Sequence, residues 1–335
     1  MSDRDGGITY DAGKLTVGEY LDGWLKDSVH GTVRQRTYER YESIVRVHLK
    51  PAFGRQKIKA LSPNLVRGLY RQKLDGNLEQ GVKPLSPRSV QYIHVTLHKS
   101  LKQAVSDGLI PRNVCSGIKA PRPGKPEITP FSREQARALL LAANSSGDRF
   151  AALYAVALHT GMREGELLRL RWDDVDLDAT TPTLQVRRSL SETRTGYTFE
   201  KPKNGKGRQL SLSHGAVDAL RAHRAVQNAE RLQAGSKWHD NALVFPNTAG
   251  NPQSGPTLLK KSFRPLLQQA GLPAKFRIHD LRHTCATILL QARKHPKYVQ
   301  ELLGHANISI TLDTYSHVIE GMDGGLGDAM DDALG

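Results

Sequence analysis

The chain has 335 residues, with 48 Lys and Arg against 33 Asp and Glu, a formal net charge of +15, and 38% hydrophobic residues. That length suits about two domains, each able to bury its own core, and the composition excludes a wholly disordered or collagen-like chain. Two cysteines, Cys115 and Cys285, are too few and too far apart for a disulfide framework or a CxxC metal site. No apolar run approaches the roughly 18 residues of a membrane span, and the start MSDRDGGITY lacks the basic-then-apolar pattern of a signal peptide. These features point to a cytoplasmic protein with no membrane partner.

The charge is uneven. Residues 1–125 carry a net +11, residues 126–317 a net +9, and the last 18 residues a net −5. Positive charge over both main segments fits either a polyanionic partner such as nucleic acid or a solvated basic surface.

Residues 1–14 form a short N-terminal extension. Thr16 and Glu19 then make a capping box flanked by Leu15 and Tyr20, and Val17, Tyr20, Leu21, Trp24 and Leu25 follow helical spacing. A second helix is expected from about Arg34 to Leu49, stopping before Pro51. Ser62-Pro63 and Ser86-Pro87 each place an N-cap before a first-turn proline, opening two more helices. The result is a four-helix domain over residues 15–119. Prolines 121, 123, 126 and 130 make residues 120–130 an extended linker.

Beyond the linker, residues 131–317 read as a mixed domain. Ser132 and Gln135 form a second capping box, and FAALYAVALHT (150–160) is a buried helix. Thr183–Ser191, Tyr197–Lys201 and Arg208–Ser213 read as short strands, the last two joined by a tight KNGKG turn. Helices follow at about 215–233, 256–270, 280–293 and 296–303, with a short strand at Leu243-Val244-Phe245. Residues 318–335 form a glycine-rich acidic tail. The expected fold is therefore multidomain: an all-α helical domain followed by an α+β, mainly helical domain with a small antiparallel sheet.

Four separated clusters carry the chemistry. They are Thr160-Gly161-Met162-Arg163-Glu164-Gly165-Glu166; Lys203 in the basic turn; His279-Asp280-Leu281-Arg282-His283; and Leu303-Gly304-His305 followed by Tyr315 in TLDTYSHV. In this order and at these intervals they resemble the tyrosine recombinase (phage integrase) family, over nearly the whole chain. The resemblance implies a SAM-like core-binding domain ahead of a catalytic domain. It also implies a site-specific recombinase or integrase that cleaves and rejoins DNA through a 3′-phosphotyrosyl intermediate, for integration or excision of a phage or other mobile element. Tyr315 is implied as nucleophile, Arg163 and Arg282 as the clamp on the scissile phosphate, and Lys203 as general acid. His279 and His305 are implied in proton handling and phosphate contact, with Glu166 orienting Arg163.

Those residue types suit the reaction. Two guanidiniums donate paired hydrogen bonds to the non-bridging oxygens, where charge grows during attack. A tyrosine hydroxyl titrates near about 10, so it needs cations or a base to activate it. A lysine can protonate the leaving 5′-oxygen. The phosphotyrosyl bond keeps the energy of the diester, so rejoining needs no ATP, and with two arginines on the phosphate no metal or other cofactor is called for.

Other readings remain open on these residues alone. Lys201 and Lys206 flank Lys203, Tyr315 could be a core aromatic beside Leu312 and Val318, and His283, His317 and Cys285 read as structural. HDLRH superficially resembles the HExxH zinc motif, so a zinc hydrolase is one alternative. A non-catalytic DNA-binding regulator is another.

The implied partners are double-stranded DNA with core-type recombination sites and a homo-tetramer on that DNA, with room for an accessory directionality factor or a host DNA-bending protein. The implied place of work is the bacterial nucleoid. Arg34, Arg36, Lys57, Lys59, Arg88, Lys99 and Lys102 are the basic residues expected to touch DNA phosphates. Met322, Leu326, Met330 and Leu334 recur every four residues in the tail, as in a segment that docks on a neighbouring subunit. About 14 residues precede the helical domain, too few for a separate arm-type DNA-binding domain, so either simple core sites are used or the chain begins downstream of a lost or removed domain.

Overall fold

The computed structural model describes residues 14–77, 79–124, 129–187, 189–193, 196–200, 207–319 and 326–334. The chain divides into two compact units, Met1–Pro126 and Glu127–Gly335.

The first unit is helical. Helix α1 (Val17–Gly23) starts at the expected capping box, with Thr16 N–H donating to Glu19 Oε2 (2.9 Å) and Glu19 N–H to Thr16 Oγ1 (3.2 Å). It runs on through a wider π-type turn, Trp24–Val29. Helix α2 (Gln35–Ile44) passes through a second π-type turn, Val45–Leu49, into α3 (Lys50–Phe53). The expected stop before Pro51 is therefore corrected. The widened turn shifts the hydrogen-bond register so that Pro51, which has no N–H, falls in the first turn of α3, where none is needed. Helices α4 (Pro63–Asp75) and α5 (Pro87–Ser106) begin at Ser62 and Ser86 as expected. Leu21, Leu49, Val66, Leu97 and Leu101 meet in the core of this unit, and Tyr20 Oη donates to the Ser100 carbonyl (2.5 Å).

The second unit opens with α6 (Arg133–Ser145), α7 (Ala151–Thr160) and α8 (Glu164–Leu167). Helix α7 is apolar on all sides because it is sheathed on all sides: Leu153, Tyr154 and Val156 are fully buried. Five short strands follow: β1 (Val175–Asp176), β2 (Thr183–Val186), β3 (Ser189–Thr193), β4 (Gly196–Glu200) and β5 (Arg208–Ser211). Strands β1, β2 and β5 form one antiparallel sheet in the order β1-β2-β5, and β3 and β4 form a separate hairpin.

The sheet pairing corrects the expected hairpin between 197–201 and 208–213. Strand β4 pairs with β3, in the register Ser189↔Glu200 to Thr193↔Gly196. Gly196, at φ +114°, supplies the left-handed backbone that a tight reversal requires. Strand β5 instead aligns with β2, where Leu184, Val186 and Leu210 all turn into the core.

The expected strand at Leu243-Val244-Phe245 is reduced to an isolated bridge, Arg171↔Leu243, with Val244 N–H on the Leu170 carbonyl (2.8 Å). Ala242, at φ +51°, turns the chain just before it, and Pro246 just after has no N–H to extend a ladder.

The rest is helical: α9 (His214–Ala234), α10 (Gly255–Leu258), α11 (Arg264–Gln269), α12 (Ile278–Gln291), α13 (Pro296–Leu303), α14 (Ile308–Ile319) and α15 (Leu326–Leu334). A π-type turn, Leu259–Phe263, joins α10 to α11 and places Pro265 in a first turn, the same device as at Pro51. None of the described helices is long and apolar enough to cross a membrane.

Candidate active site

The site is assembled where α7, α8, α12, α13, α14 and β5 come together. Helix α7 ends at Gly161, whose φ of +61° is the left-handed conformation that closes many helices. A Cβ there would lie 2.7 Å from Leu303 Cδ2, so only glycine lets α13 approach this closely. The Gly161 carbonyl, left free by the end of the helix, accepts a hydrogen bond from Arg282 Nη1 (2.7 Å).

Arg163 caps α8, and Glu166 reaches back to it twice. Glu166 Oε2 accepts from the Arg163 N–H (2.9 Å) and Oε1 from Nη1 (2.9 Å). Arg163 Nη2 also donates to the Gly304 carbonyl (3.2 Å), tying the α8 end to the Leu303-Gly304-His305 turn.

Glu166 holds a second arginine that sequence reasoning missed. Arg208, at the start of β5, forks onto the same carboxylate through Nη1 (3.1 Å) and Nη2 (2.8 Å), while its Nε donates to the Leu302 carbonyl (2.8 Å). The Glu166 side chain is 1% exposed. Burial alone would raise its carboxyl, but the hydrogen bond and charge of Arg208, and then Arg163, hold it at about 2. Gly304, at φ +64°, ends α13, and a Cβ there would press on Arg208 at 3.0 Å from Nη1.

Helix α12 carries HDLRH on its first two turns. Asp280 caps it by accepting from the Arg277 N–H (2.8 Å) and from Nη2 (2.7 Å). Arg282 is 3% exposed, and its Nη2 has no hydrogen-bond partner among the described residues. Burial first, then the neighbouring Arg163 charge, push Arg282 down to about 9, so it stays cationic at neutral pH. A buried guanidinium with an unused donor has a strong demand for an anion.

His305 follows Gly304. Its Nδ1 meets Thr311 Oγ1 (2.8 Å), and its carbonyl accepts from Gln300 Nε2 (2.6 Å). Burial, then Arg282 and Arg163, push His305 down to about 4. His279 is also held at about 4, by burial, then His283 and Arg282. The His279 and His283 rings meet edge to face at 5.1 Å.

Tyr315 is 1% exposed and sits against Ala286, Leu290, Val299 and Leu303. Its own backbone, φ −120° and ψ 19°, breaks the helical geometry of α14. The hydroxyl does not lie idle in that core: it meets His283 Nδ1 at 2.9 Å. Burial raises the Tyr315 hydroxyl above its ordinary range, and Arg282 pulls it back down.

The structure therefore brings Arg163, Glu166, His279, Arg282, His305 and Tyr315 into one cluster. It adds Arg208, through Glu166, and His283, which the sequence reading set apart as structural and which here meets the Tyr315 hydroxyl. Its spacing of four residues from His279, one helical turn, was the available signal. Cys285 is buried, as a packing residue should be. Lys203 lies outside the described residues. Arg34, Arg36, Lys57, Lys59, Arg88, Lys99 and Lys102 are all exposed in the first unit, with Lys99 over the Tyr41 ring (5.3 Å). Among the described residues no group of three or more His, Cys, Asp or Glu is placed to hold a metal ion.

Comparison with known proteins identifies the family. Residues 130–321 match the phage integrase family model, and residues 16–74 match the phage integrase N-terminal SAM-like domain. A tyrosine recombinase XerC-like protein of Caldanaerobacter subterraneus is 30% identical, over 93% of this chain and 82% of its own length. An integrase of Streptomyces ambofaciens is 31% identical, over 94% of this chain and 79% of its own. Among solved structures, the Tn1549 transposon integrase bound to a circular intermediate DNA superposes with a TM-score of 0.72 at 21% identity, covering 88% of this chain and 94% of that one. A lambda integrase tetramer bound to a Holliday junction gives 0.62 at 18% identity, covering 90% and 77%.

Proposed function

This chain belongs to the phage integrase family of tyrosine recombinases, enzymes that break and rejoin DNA strands in site-specific recombination, and we propose that Tyr315 is its nucleophile. Tyr315 Oη attacks the scissile phosphorus, the P–O5′ bond breaks, and a 3′-phosphotyrosyl link forms. The tyrosine proton leaves to a base and the 5′-oxygen takes one from an acid, a role the family resemblance gives to Lys203. Rejoining runs the same steps backward, with the free 5′-hydroxyl as nucleophile, and needs neither ATP nor a metal.

Arg163 and Arg282 bind the non-bridging oxygens, with His279 and His305 completing the contacts to the phosphate. Glu166 positions Arg163. The observation that carries this reading is Arg282: a nearly buried guanidinium with an unpartnered Nη2, close enough to Arg163 and Tyr315 to feel both charges. A phosphate oxygen supplies the missing acceptor, at the point where charge grows in the transition state.

The substrate in this reading is double-stranded DNA with core-type sites, bound by residues 15–119 through exposed cations such as Arg34, Lys57 and Lys99. Residues 120–130 serve as linker and 131–317 as catalytic domain. Four copies act together at two sites, at the bacterial nucleoid, to integrate or excise a phage or other mobile element, with an accessory directionality factor or DNA-bending protein as a further partner. The segment 318–335 docks on a neighbouring copy; in α15, Met330 and Leu334 are exposed and available for that contact.

The test is Tyr315→Phe on a nicked suicide substrate, whose cleaved strand diffuses away and traps the adduct. The variant should bind core-site DNA like the parent and form no covalent complex. A DNA-binding regulator would show no change in any activity.

A further inference from the structure

The reaction above needs a group to take the tyrosine proton, and neither Lys203 nor the arginine clamp can serve. We infer that His283 is the general base, accepting the Tyr315 proton at Nδ1 as the P–O bond to tyrosine forms. This rests on the reading of Tyr315 as nucleophile and adds a catalytic residue to it.

Geometry carries the inference. His283 Nδ1 lies 2.9 Å from the Tyr315 oxygen, within the range for direct proton transfer, and the ring centroids are 5.9 Å apart. The other two histidines are committed differently: His305 Nδ1 is on Thr311, and His279 meets His283 edge to face rather than the tyrosine. To accept at Nδ1, the neutral His283 ring must carry its own proton on Nε2. Both partners sit on packed elements: α12 is anchored by its buried Leu281, Cys285 and Ala286, and Tyr315 packs with Leu290 and Leu303.

The surroundings keep this base unprotonated at neutral pH. Burial lowers its pKa from the ordinary 6.5; Asp280 works against that, while Arg282 and Arg277 add to it. Among the described residues, His279, Tyr315 and His305 are further titratable groups that face it. In cleavage the Tyr315 proton moves to Nδ1, the oxygen lone pair goes to phosphorus, and the electron pair of the P–O5′ bond leaves with the 5′-oxygen. In rejoining, the imidazolium returns the same proton to the departing Tyr315 oxygen, so no other reactant is consumed.

The experiment compares His283→Gln and His283→Ala with the parent in single-turnover adduct formation on the nicked suicide substrate. Gln can accept a hydrogen bond but cannot take the proton. Both variants should bind DNA with parental affinity and form the adduct about 10²–10⁴-fold more slowly, with added imidazole partly rescuing the Ala variant. A substrate with sulfur at the 5′-bridging position releases a thiolate that needs no acid. The His283 defect should persist on it, since the base serves the other oxygen.

Loss of the defect on that substrate would reassign His283 to the leaving group and overturn the inference. So would a Gln variant as fast as the parent. Should both variants unfold, the parental pH–rate profile decides. A rate that levels off below pH 6.5 or so supports a histidine base, and one that climbs to the titration of free tyrosine near about 10 refutes it. If the parental adduct maps to a residue other than Tyr315, the nucleophile reading itself falls, a result separable from failure at His283 alone.

Discussion

Replacing Arg208 with Ala removes both of its hydrogen bonds to Glu166 and leaves a nearly inaccessible carboxylate shared with Arg163 alone. The size of the effect follows from the carboxyl's own titration. Arg208 and Arg163 together hold the group at about 2 rather than its ordinary 4.5, worth about 3 kcal/mol at neutral pH, with Arg208 the larger share. Breaking one arm of a buried ion pair typically costs about 3–5 kcal/mol, which agrees in scale. For a unit of roughly 200 residues this lowers the melting temperature by about 6–12 °C. The sign is fixed by linkage: a depressed carboxyl gives its full stability above 4.5 and loses it as the pH falls toward about 2. Parent and variant melting curves, recorded by circular dichroism from neutral pH downward, should therefore differ most near pH 7 and converge in acid. A difference below about 2 °C at neutral pH, or one that stays constant into acid, would refute the Glu166 network as a stabilising element.

Gly161→Ala forces a side chain into left-handed backbone and against Leu303, so it should cost at least about 1–3 kcal/mol and slow adduct formation by displacing the carbonyl that holds Arg282; an unchanged melt would contradict that packing. His279 and His305, each held at about 4 against an ordinary 6.5, bind protons in the unfolded chain before they do in the folded one. Stability present above pH 6.5 should therefore fall as the pH drops toward 4, and equal urea midpoints at pH 7 and pH 5 would contradict it. A bound DNA phosphate raises the same two groups, so binding near pH 5 should take up protons, seen as a buffer-dependent heat. Cys115 and Cys285 are buried, with thiols pushed up to about 12; a thiol reagent at pH 8 should label neither until the protein unfolds.

What was legible in the sequence was what depends on near neighbours. The Thr16–Glu19 and Ser132–Gln135 boxes each close within three residues, and a proline after Ser62 or Ser86 fixes a helix start by its own covalent geometry. Arg163, Arg282, His305 and Tyr315 stood out because their types and order follow a family pattern, and the fold gathers them.

The misses are non-local. Whether Gly196–Glu200 pairs with the strand before it or after it depends on a two-way competition that alternation alone does not rank. The helix through Pro51 survives only because a π-type turn upstream adjusts the register. Arg208 entered the sequence reading only as the first residue of a short strand, because its partner Glu166 lies 42 positions away. The contact of His283 was hidden by the equally good reading of a packed histidine, since the hydroxyl it meets lies 32 residues on.

Whether Tyr315 makes the bond to DNA is decided by trapping the protein on a nicked suicide substrate in the presence of EDTA. Proteolysis and mass spectrometry then locate the nucleotide-bearing peptide. Trapping should be complete in chelator, with a single adduct, on Tyr315. An adduct on any other side chain, or cleavage that chelator abolishes, would contradict it.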